Sequence, residues 1–318
     1  MPPIVWLPLL AQVVVPVALL VWLGSARHAS LGAWGLTTVV VGGYLLMITL
    51  AGLWLVVPAS VPLVLGVLFV VAAVRSVRRI RTRTSVARGG RVMAGVAVRV
   101  VAAVAVFAAL AHIVGGRRAP DAPLVHLAFP LQGGTYAVAA GGGVPLINPH
   151  LGTLKGERFR PYRGQSFGVD LVRLGGAGAR ARGLLPADPA RYAIFGDTVT
   201  APCAGRVALA EDGYPDMNPP QTDRTHMAGN FVIVACGDAW VLLGHLARGT
   251  VRVRTGDTVR PGDPLGLVGN SGNSSEPHLH VHAQRPGTAA MPLGGAPLAI
   301  TFDGRYLTRN DRVRARRR

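Results

Sequence analysis

His278 and His280 flank Leu279 and follow a run of turn-forming residues, Ser271-Gly272-Asn273-Ser274-Ser275-Glu276-Pro277. In a β-strand, residues i and i+2 face the same side. Both imidazoles can therefore look into one cleft, one binding a metal and the other handling a proton. Two more residues of suitable chemistry occur in β-prone stretches. Asp170 lies in Ser166-Phe167-Gly168-Val169-Asp170-Leu171-Val172, and His245 closes Ala239-Trp240-Val241-Leu242-Leu243-Gly244-His245-Leu246. One aspartate and three histidines from separate strands make an incomplete zinc-site inventory. Each also has a plainer reading. His245 alone reads as a satisfied strand-end histidine, and Asp170 after Gly168 as a turn-capping residue. His282 shares the face of His280 and reads as a structural or supporting residue beyond a metal. His226 reads as a loop residue bordering the cleft, His112 and His126 as incidental, and Asp212 and Asp216 as turn residues around Gly213-Tyr214-Pro215.

The elements that must position these side chains are short. From Val125 onward, β-prone runs alternate with Gly, Pro, Asn and Asp clusters. Gly205–Ala210, Phe231–Cys236 and Ala239–Leu246 read as strands, the last two joined by Gly237-Asp238 as a tight hairpin. Strands so closely spaced leave no room for helical crossovers, so the expectation is an all-β domain, an antiparallel sheet or sandwich. Gly256-Asp257-Thr258-Val259 and Gly262-Asp263-Pro264-Leu265 repeat one turn pattern. Such turns also occur in carrier-type β domains, but the only lysine, Lys155, is not placed as an acceptor at a hairpin tip beside them.

The first 115 residues have a different character. Four apolar runs, about 4–23, 31–57, 58–74 and 92–114, approach the ~20 residues that a bilayer-spanning helix needs. The first lacks a basic leading segment and is followed by three more runs, which favours a retained anchor over a cleaved signal. Arg99 inside the fourth run is costly in lipid unless it snorkels or faces other helices. Arg75, Arg78, Arg79, Arg81, Arg83, Arg88 and Arg91 place the loop after the third run in the cytoplasm. The chain beyond about Gly115 then lies outside the cytoplasmic membrane. If the fourth run is instead a surface helix, that domain stays inside. The expected organisation is 1–115 transmembrane, 116–311 β domain, and 312–318 a basic tail.

The formal charge is +18, almost all of it arginine, and mean hydropathy is +0.38. A basic excess suits nucleic acid, but recognition motifs and interleaved aromatics are missing, so no nucleic-acid partner is expected. The lipid bilayer, and an anionic lipid surface or anionic wall polymer, fit better. Cys203 and Cys236 lie in no CxxC motif. They are either two small buried residues or one disulfide in an oxidising compartment, and the outward topology favours the disulfide.

The ordered motifs resemble those of the lysostaphin- and LytM-like zinc metallopeptidases that cut peptidoglycan peptide bridges. The likeness runs from about Phe129 to Ala283, roughly half the chain. Gly168-Val169-Asp170 resembles the end of the family's H-x-G-x-D element. Gly196-Asp197-Thr198-Val199-Thr200-Ala201-Pro202 with Gly205-Arg206-Val207, then Gly229-Asn230-Phe231-Val232, Gly244-His245-Leu246 and the His278-Leu279-His280 close follow in the family's order. The resemblance implies Asp170 and His280 as zinc ligands and His245 and His278 as catalytic histidines beside the scissile carbonyl. It implies a zinc metallo-endopeptidase whose metal activates water against a cross-link amide.

One position departs from the pattern. The family's first ligand histidine should stand four residues before Asp170, where this chain has Ser166. Serine is a poor zinc ligand beside His, Cys, Asp or Glu. Three readings follow: a degenerate site, weak metal binding with Gln165 or Ser166 nearby, or another histidine in its place. His150 is the best substitute: it follows a Gly-rich β-like stretch and precedes the Asp170 strand, so a paired strand could carry it to the cleft, and Asn148-Pro149-His150 resembles an Asn-x-His found there in relatives. The rival to a membrane-anchored enzyme is a degenerate domain that binds cell wall or a partner hydrolase and regulates it.

Overall fold

A computed structural model describes residues 10–28, 30–55, 60–80, 89–176, 178–288 and 290–316. The chain divides into two compact units: Met1–Gly52 with Pro58–Val114, and Leu53–Val57 with Gly115–Arg318.

The first unit is helical. A π-helical turn, Leu10–Val14, leads into α1 (Val15–Ser25), followed by α2 (Leu31–Ala51), α3 (Val61–Val77) and α4 (Gly89–Gly116). Proline stands in the first turn of α3, where its missing N–H costs nothing, whereas Pro16 of α1 follows directly on the π-helical turn. Ser30 caps α2 by accepting from the Ala33 amide at 3.1 Å. These helices are apolar around most of their circumference, and Val67, Val70, Val71, Val98, Val101 and Val104 are exposed. Such helices match an apolar surrounding rather than a one-sided core. By length and composition two of them can cross a membrane, Leu31–Ala51 and Met93–Gly116; Leu10–Ser25 and Val61–Val77 are shorter. Four runs were expected. The start of the first run, Pro58 of the third, and arginines 81, 83 and 88 lie outside the described residues. Arg99 is not bare: its Nε donates to Thr37 Oγ1 at 3.0 Å and its Nη1 to the Gly95 carbonyl at 2.7 Å.

The second unit is built on strands β1 (Leu124–Leu127), β2 (Gly134–Ala140), β3 (Val169–Leu174), β4 (Thr198–Thr200), β5 (Gly205–Glu211) and β6 (Asn230–Cys236). Strands β7 (Ala239–Leu246), β8 (Thr258–Val259), β9 (Pro264–Leu267), β10 (Leu279–Gln284), β11 (Pro297–Phe302) and β12 (Arg312–Ala315) complete it. The main sheet runs β12-β2-β3-β10-β7-β6-β5-β8, and β4 pairs with β9 in a small second sheet. All pairs in the main run are antiparallel, and β1 with β11 is parallel.

The period-2 pattern decides which side chains reach the cleft. Val169 and Leu171 of β3, Leu243 of β7, and Leu279, Val281 and Ala283 of β10 all enter the main core. The residues between them, Asp170 on β3 and His280, His282 and Gln284 on β10, must take the opposite face. On that face Phe231, Ile233 and Leu242 form a second apolar cluster. Leu55, in the same unit, packs with Ala137, Val172 and Leu174. Cys203 and Cys236 are joined by a disulfide between the segment before β5 and the end of β6.

Two segments differ from expectation. Ser166 and Phe167 do not begin a strand; they end a 3-10 helix, Glu157–Phe167, and β3 starts at Val169. Gly168 ends that helix as its C-terminal cap residue. Arg312–Ala315 is not a solvated tail but β12, paired with β2 from Arg312↔Ala137 to Ala315↔Gly134. Its Arg-Val-Arg-Ala alternation packs Val313 and Ala315 on the core and leaves the arginines out, a strand pattern that the charge run obscures.

Candidate metal centre

Asp170 and His280 are direct cross-strand partners in the β3–β10 ladder. Their side chains meet on the open face, with His280 Nδ1 2.8 Å from Asp170 Oδ1. Gly168 makes room for this. A Cβ there would lie 2.6 Å from His280 Cε1, so the glycine is needed for the close approach of a ring rather than for its own dihedral angles.

His150 comes from a 3-10 turn, Pro149–Thr153, and not from a paired strand. Its Nε2 lies 3.5 Å from Asp170 Oδ2, and its ring is 4.8 Å from that of His280. The ligand atoms of His150, Asp170 and His280 all lie within 4.8 Å of one another. Asn148 sets this geometry. Its Oδ1 accepts from the His150 backbone amide at 3.2 Å and from His150 Nδ1 at 2.9 Å. Its Nδ2 donates to the carbonyls of Gly142 and Gly168. The ring proton therefore sits on Nδ1, and the Nε2 lone pair points at Asp170.

Ser166 takes no part. It is fully buried, its hydroxyl donates to the Arg163 carbonyl at 2.7 Å, and it shares a 3.0 Å contact with Thr153 Oγ1. Thr153 Oγ1 in turn is bonded to the His150 carbonyl at 2.8 Å. The serine thus braces the turn that carries His150.

Electrostatics prepare this group for a cation. Burial pushes His150 down to about 4, against the pull of Asp170. Burial alone favours a neutral Asp170, but the facing imidazoles of His150, His278 and His280 hold it well below the usual carboxylate range. The resting state is an Asp170 carboxylate facing a neutral, largely desolvated His150. That donor set, two imidazoles and a carboxylate, fits zinc.

His278 and His245 line the opposite side, their rings 4.7 Å apart. His278 Nδ1 donates to the Glu276 carbonyl at 2.8 Å, and its Nε2 faces Asp170 Oδ1 at 3.6 Å. His245 Nδ1 donates to the Ser271 carbonyl at 2.8 Å. A carbonyl can only accept, so both rings carry their proton on Nδ1 and keep Nε2 bare. Burial, then the charges of His278 and His280, keep His245 well below its ordinary value. His245 reaches the cleft through a bulge: Asn230 pairs with Leu246 and Val232 with Leu243, so β7 carries an extra residue. His245 has φ +63° there, and the bulge re-aims its side chain.

Elsewhere, His226 stacks on Tyr214 at 4.1 Å and pairs with Asp223 at 2.7 Å, outside the metal group. Arg180 has no signal in the sequence. It sits in a Gly-rich loop, is 3% exposed, and bonds Glu276 beside His278. Nothing in its local pattern marks the partner ninety-six residues away.

With this geometry in hand, residues 191–292 match the model of Peptidase family M23. That stretch contains His245, His278 and His280 and stops short of His150 and Asp170 on the N-terminal side. A 63-residue segment, 20% of this chain, is 42% identical to Endolysin 2638A of Staphylococcus phage 2638A and spans 13% of that protein's length. A putative M23 peptidase from Pseudomonas aeruginosa aligns at 20% identity, covering 57% of this chain and 54% of its own, with TM-score 0.28. The catalytic domain of lysostaphin from Staphylococcus simulans aligns at 20% identity, covering 41% and 74%, with TM-score 0.26.

Proposed function

We propose that this chain is a membrane-anchored zinc metallo-endopeptidase that hydrolyses peptide cross-links of peptidoglycan outside the cytoplasmic membrane. The observation that carries this is the convergence of His150, Asp170 and His280, with ligand atoms within 4.8 Å, against two histidines with bare Nε2 atoms. His150 Nε2, an Asp170 oxygen and His280 Nδ1 would hold the metal. When bound, zinc supplies an activated water at neutral pH and polarises a carbonyl. The chain's own residues handle the protons. His278 Nε2 accepts a proton as the amide carbonyl is attacked, then returns it to the leaving amine. His245, with a bare Nε2 beside the His278 ring, offers a second acceptor for that proton on the same side of the cleft.

Three features support the setting. The Cys203–Cys236 disulfide suits an oxidising compartment. Two helices are long and apolar enough to cross a bilayer. Arg75, Arg78 and Arg79, at and just after the end of α3, suit the cytoplasmic side of a bilayer. Ser166 motivates the rival reading, a degenerate regulator; the place of His150 Nε2 beside Asp170 weighs against it.

The test is metal content and peptide release together. Detergent-purified full-length protein should carry one equivalent of zinc and release soluble peptide fragments from peptidoglycan. His150→Ala should lose both. A zinc-free protein that still binds wall would favour the regulator.

A further inference from the structure

Strand β10 carries polar residues in a row on one face, His280, His282 and Gln284, and His278 stands just before its first residue. His278 and His280 belong to the site described above. His282 is 2% exposed and pairs with Leu242, a member of the apolar cluster on that face. An aliphatic side chain would fill that place without the cost of burying two ring nitrogens. His282 instead puts Nδ1 2.9 Å from His280 Nε2.

We propose that His282 is a positioning residue for the metal centre, accepting the Nε2–H of His280 and so holding that ring with its Nδ1 lone pair toward Asp170. The proposal rests on His280 being a ligand. A neutral imidazole has one proton; for Nδ1 to serve a metal, that proton must sit on Nε2, where it needs an acceptor. Among the described residues, His282 Nδ1 is the acceptor at hydrogen-bond distance. The tautomer of His282 follows: bare Nδ1, protonated Nε2. Its Nε2 makes no hydrogen bond of good geometry, and the Gln284 side chain is the polar neighbour on that side. The arrangement also serves the metal-free protein. There His280 Nδ1–H donates to Asp170 and His282 Nδ1–H donates to His280 Nε2, so the pair adapts by moving ring protons alone.

The ring's place is fixed from behind. Gln284, next on the same face, is 1% exposed, and its Nε2 donates to the Pro292 carbonyl at 2.6 Å. A Cβ on Gly164 would overlap Gln284 Oε1, so the 3-10 helix backbone presses directly on this side chain. His282 is thus enclosed between Gln284 and His280 along the strand, with Leu242 across it.

The experiment is zinc competition against a fluorescent chelator on detergent-solubilised full-length protein, with circular dichroism of the metal-free form as a check on folding. Asparagine places its amide oxygen near the position of a histidine Nδ1, whereas glutamine reaches the Nε2 position. His282→Asn should therefore hold zinc within about threefold of the parent, while His282→Gln and His282→Leu should lose about 10–100-fold. A space-filling role predicts the reverse order, with the larger glutamine tolerated best. Equal zinc affinity in folded His282→Leu and the parent overturns the proposal, as does an asparagine variant as weak as leucine. If the leucine variant does not fold, the Asn/Gln comparison decides. A parent protein that binds no zinc sinks the enzyme reading as well; a parent that loses zinc on His150→Ala but ignores His282→Gln sinks this proposal alone.

Discussion

Arg180 holds the carboxylate of Glu276 in a fork, Nε to Oε1 at 2.9 Å and Nη2 to Oε2 at 2.7 Å. The carbonyl of the same Glu276 accepts from His278 Nδ1, so one residue ties the buried guanidinium to the His278 ring. The bond to Glu276 keeps the arginine charged although burial opposes it. Removing one partner of such a pair strands a charge, at a cost of about 3 kcal/mol or more. Arg180→Met should therefore lower unfolding stability by about 3 kcal/mol. It should also cut kcat roughly tenfold through misplacement of His278, with KM little changed. Denaturant unfolding beside kinetics on soluble cross-linked peptides checks both; an unaltered kcat in a folded variant refutes the coupling.

His245 combines its proposed role in the site with backbone strain. A non-glycine residue near φ +63° costs about 1–2 kcal/mol. His245→Ala and His245→Gly should both lose about 10²-fold or more in kcat. The glycine variant should be the more stable of the two by about 1 kcal/mol. Thermal unfolding of the metal-free proteins tests this. An alanine variant as stable as the glycine variant would mean that the bulge is not strained.

Acid should weaken the metal-free fold. Burial holds His150 at about 4, and holds His245 and His282 well below the ordinary 6.5. Between those values the unfolded chain binds protons that the folded one refuses, so stability falls as pH drops from about 6.5 toward 4. Asp170 acts at the lower end. Its depressed pKa stabilises the fold above 3.8 and that contribution disappears with further acid. Melting temperature of chelator-treated protein should decline between pH 7.5 and 5, and a flat or rising profile contradicts the assignment of neutral buried histidines.

The disulfide should matter to stability and not to chemistry. It closes a separation of 33 residues between Cys203 and Cys236, and cross-links of that span contribute about 3–4 kcal/mol. The double serine variant should unfold at lower denaturant with kcat intact. A loss of kcat in folded protein would place these cysteines in the site's support instead.

Much of the site could be read from period and order. His278, His280 and Asp170 share a face because strand side chains alternate, and the β3–β10 pairing then makes His280 and Asp170 neighbours. His150 was harder. Its position depends on a 3-10 turn braced by Asn148, Thr153 and Ser166, contacts that leave no periodic trace. Arg180 and the bulge at His245 were not legible at all, since both depend on tertiary register. In the helical half, hydropathy marked the apolar stretches that hold α2 and α4, the two helices long and apolar enough to cross a membrane.

Strand β12 has a consequence of another kind. It ends the main run of strands on one side, and β8, two residues long, ends it on the other. An outer strand offers unpaired amides and carbonyls on which a second chain can nucleate. Arg312 and Arg314 stand exposed along that rim, and placing two like charges there makes docking of an identical rim unfavourable. The arginines that resemble a disordered appendage are then the sheet's protection against self-association, while β8 gains the same protection by being too short to template a partner.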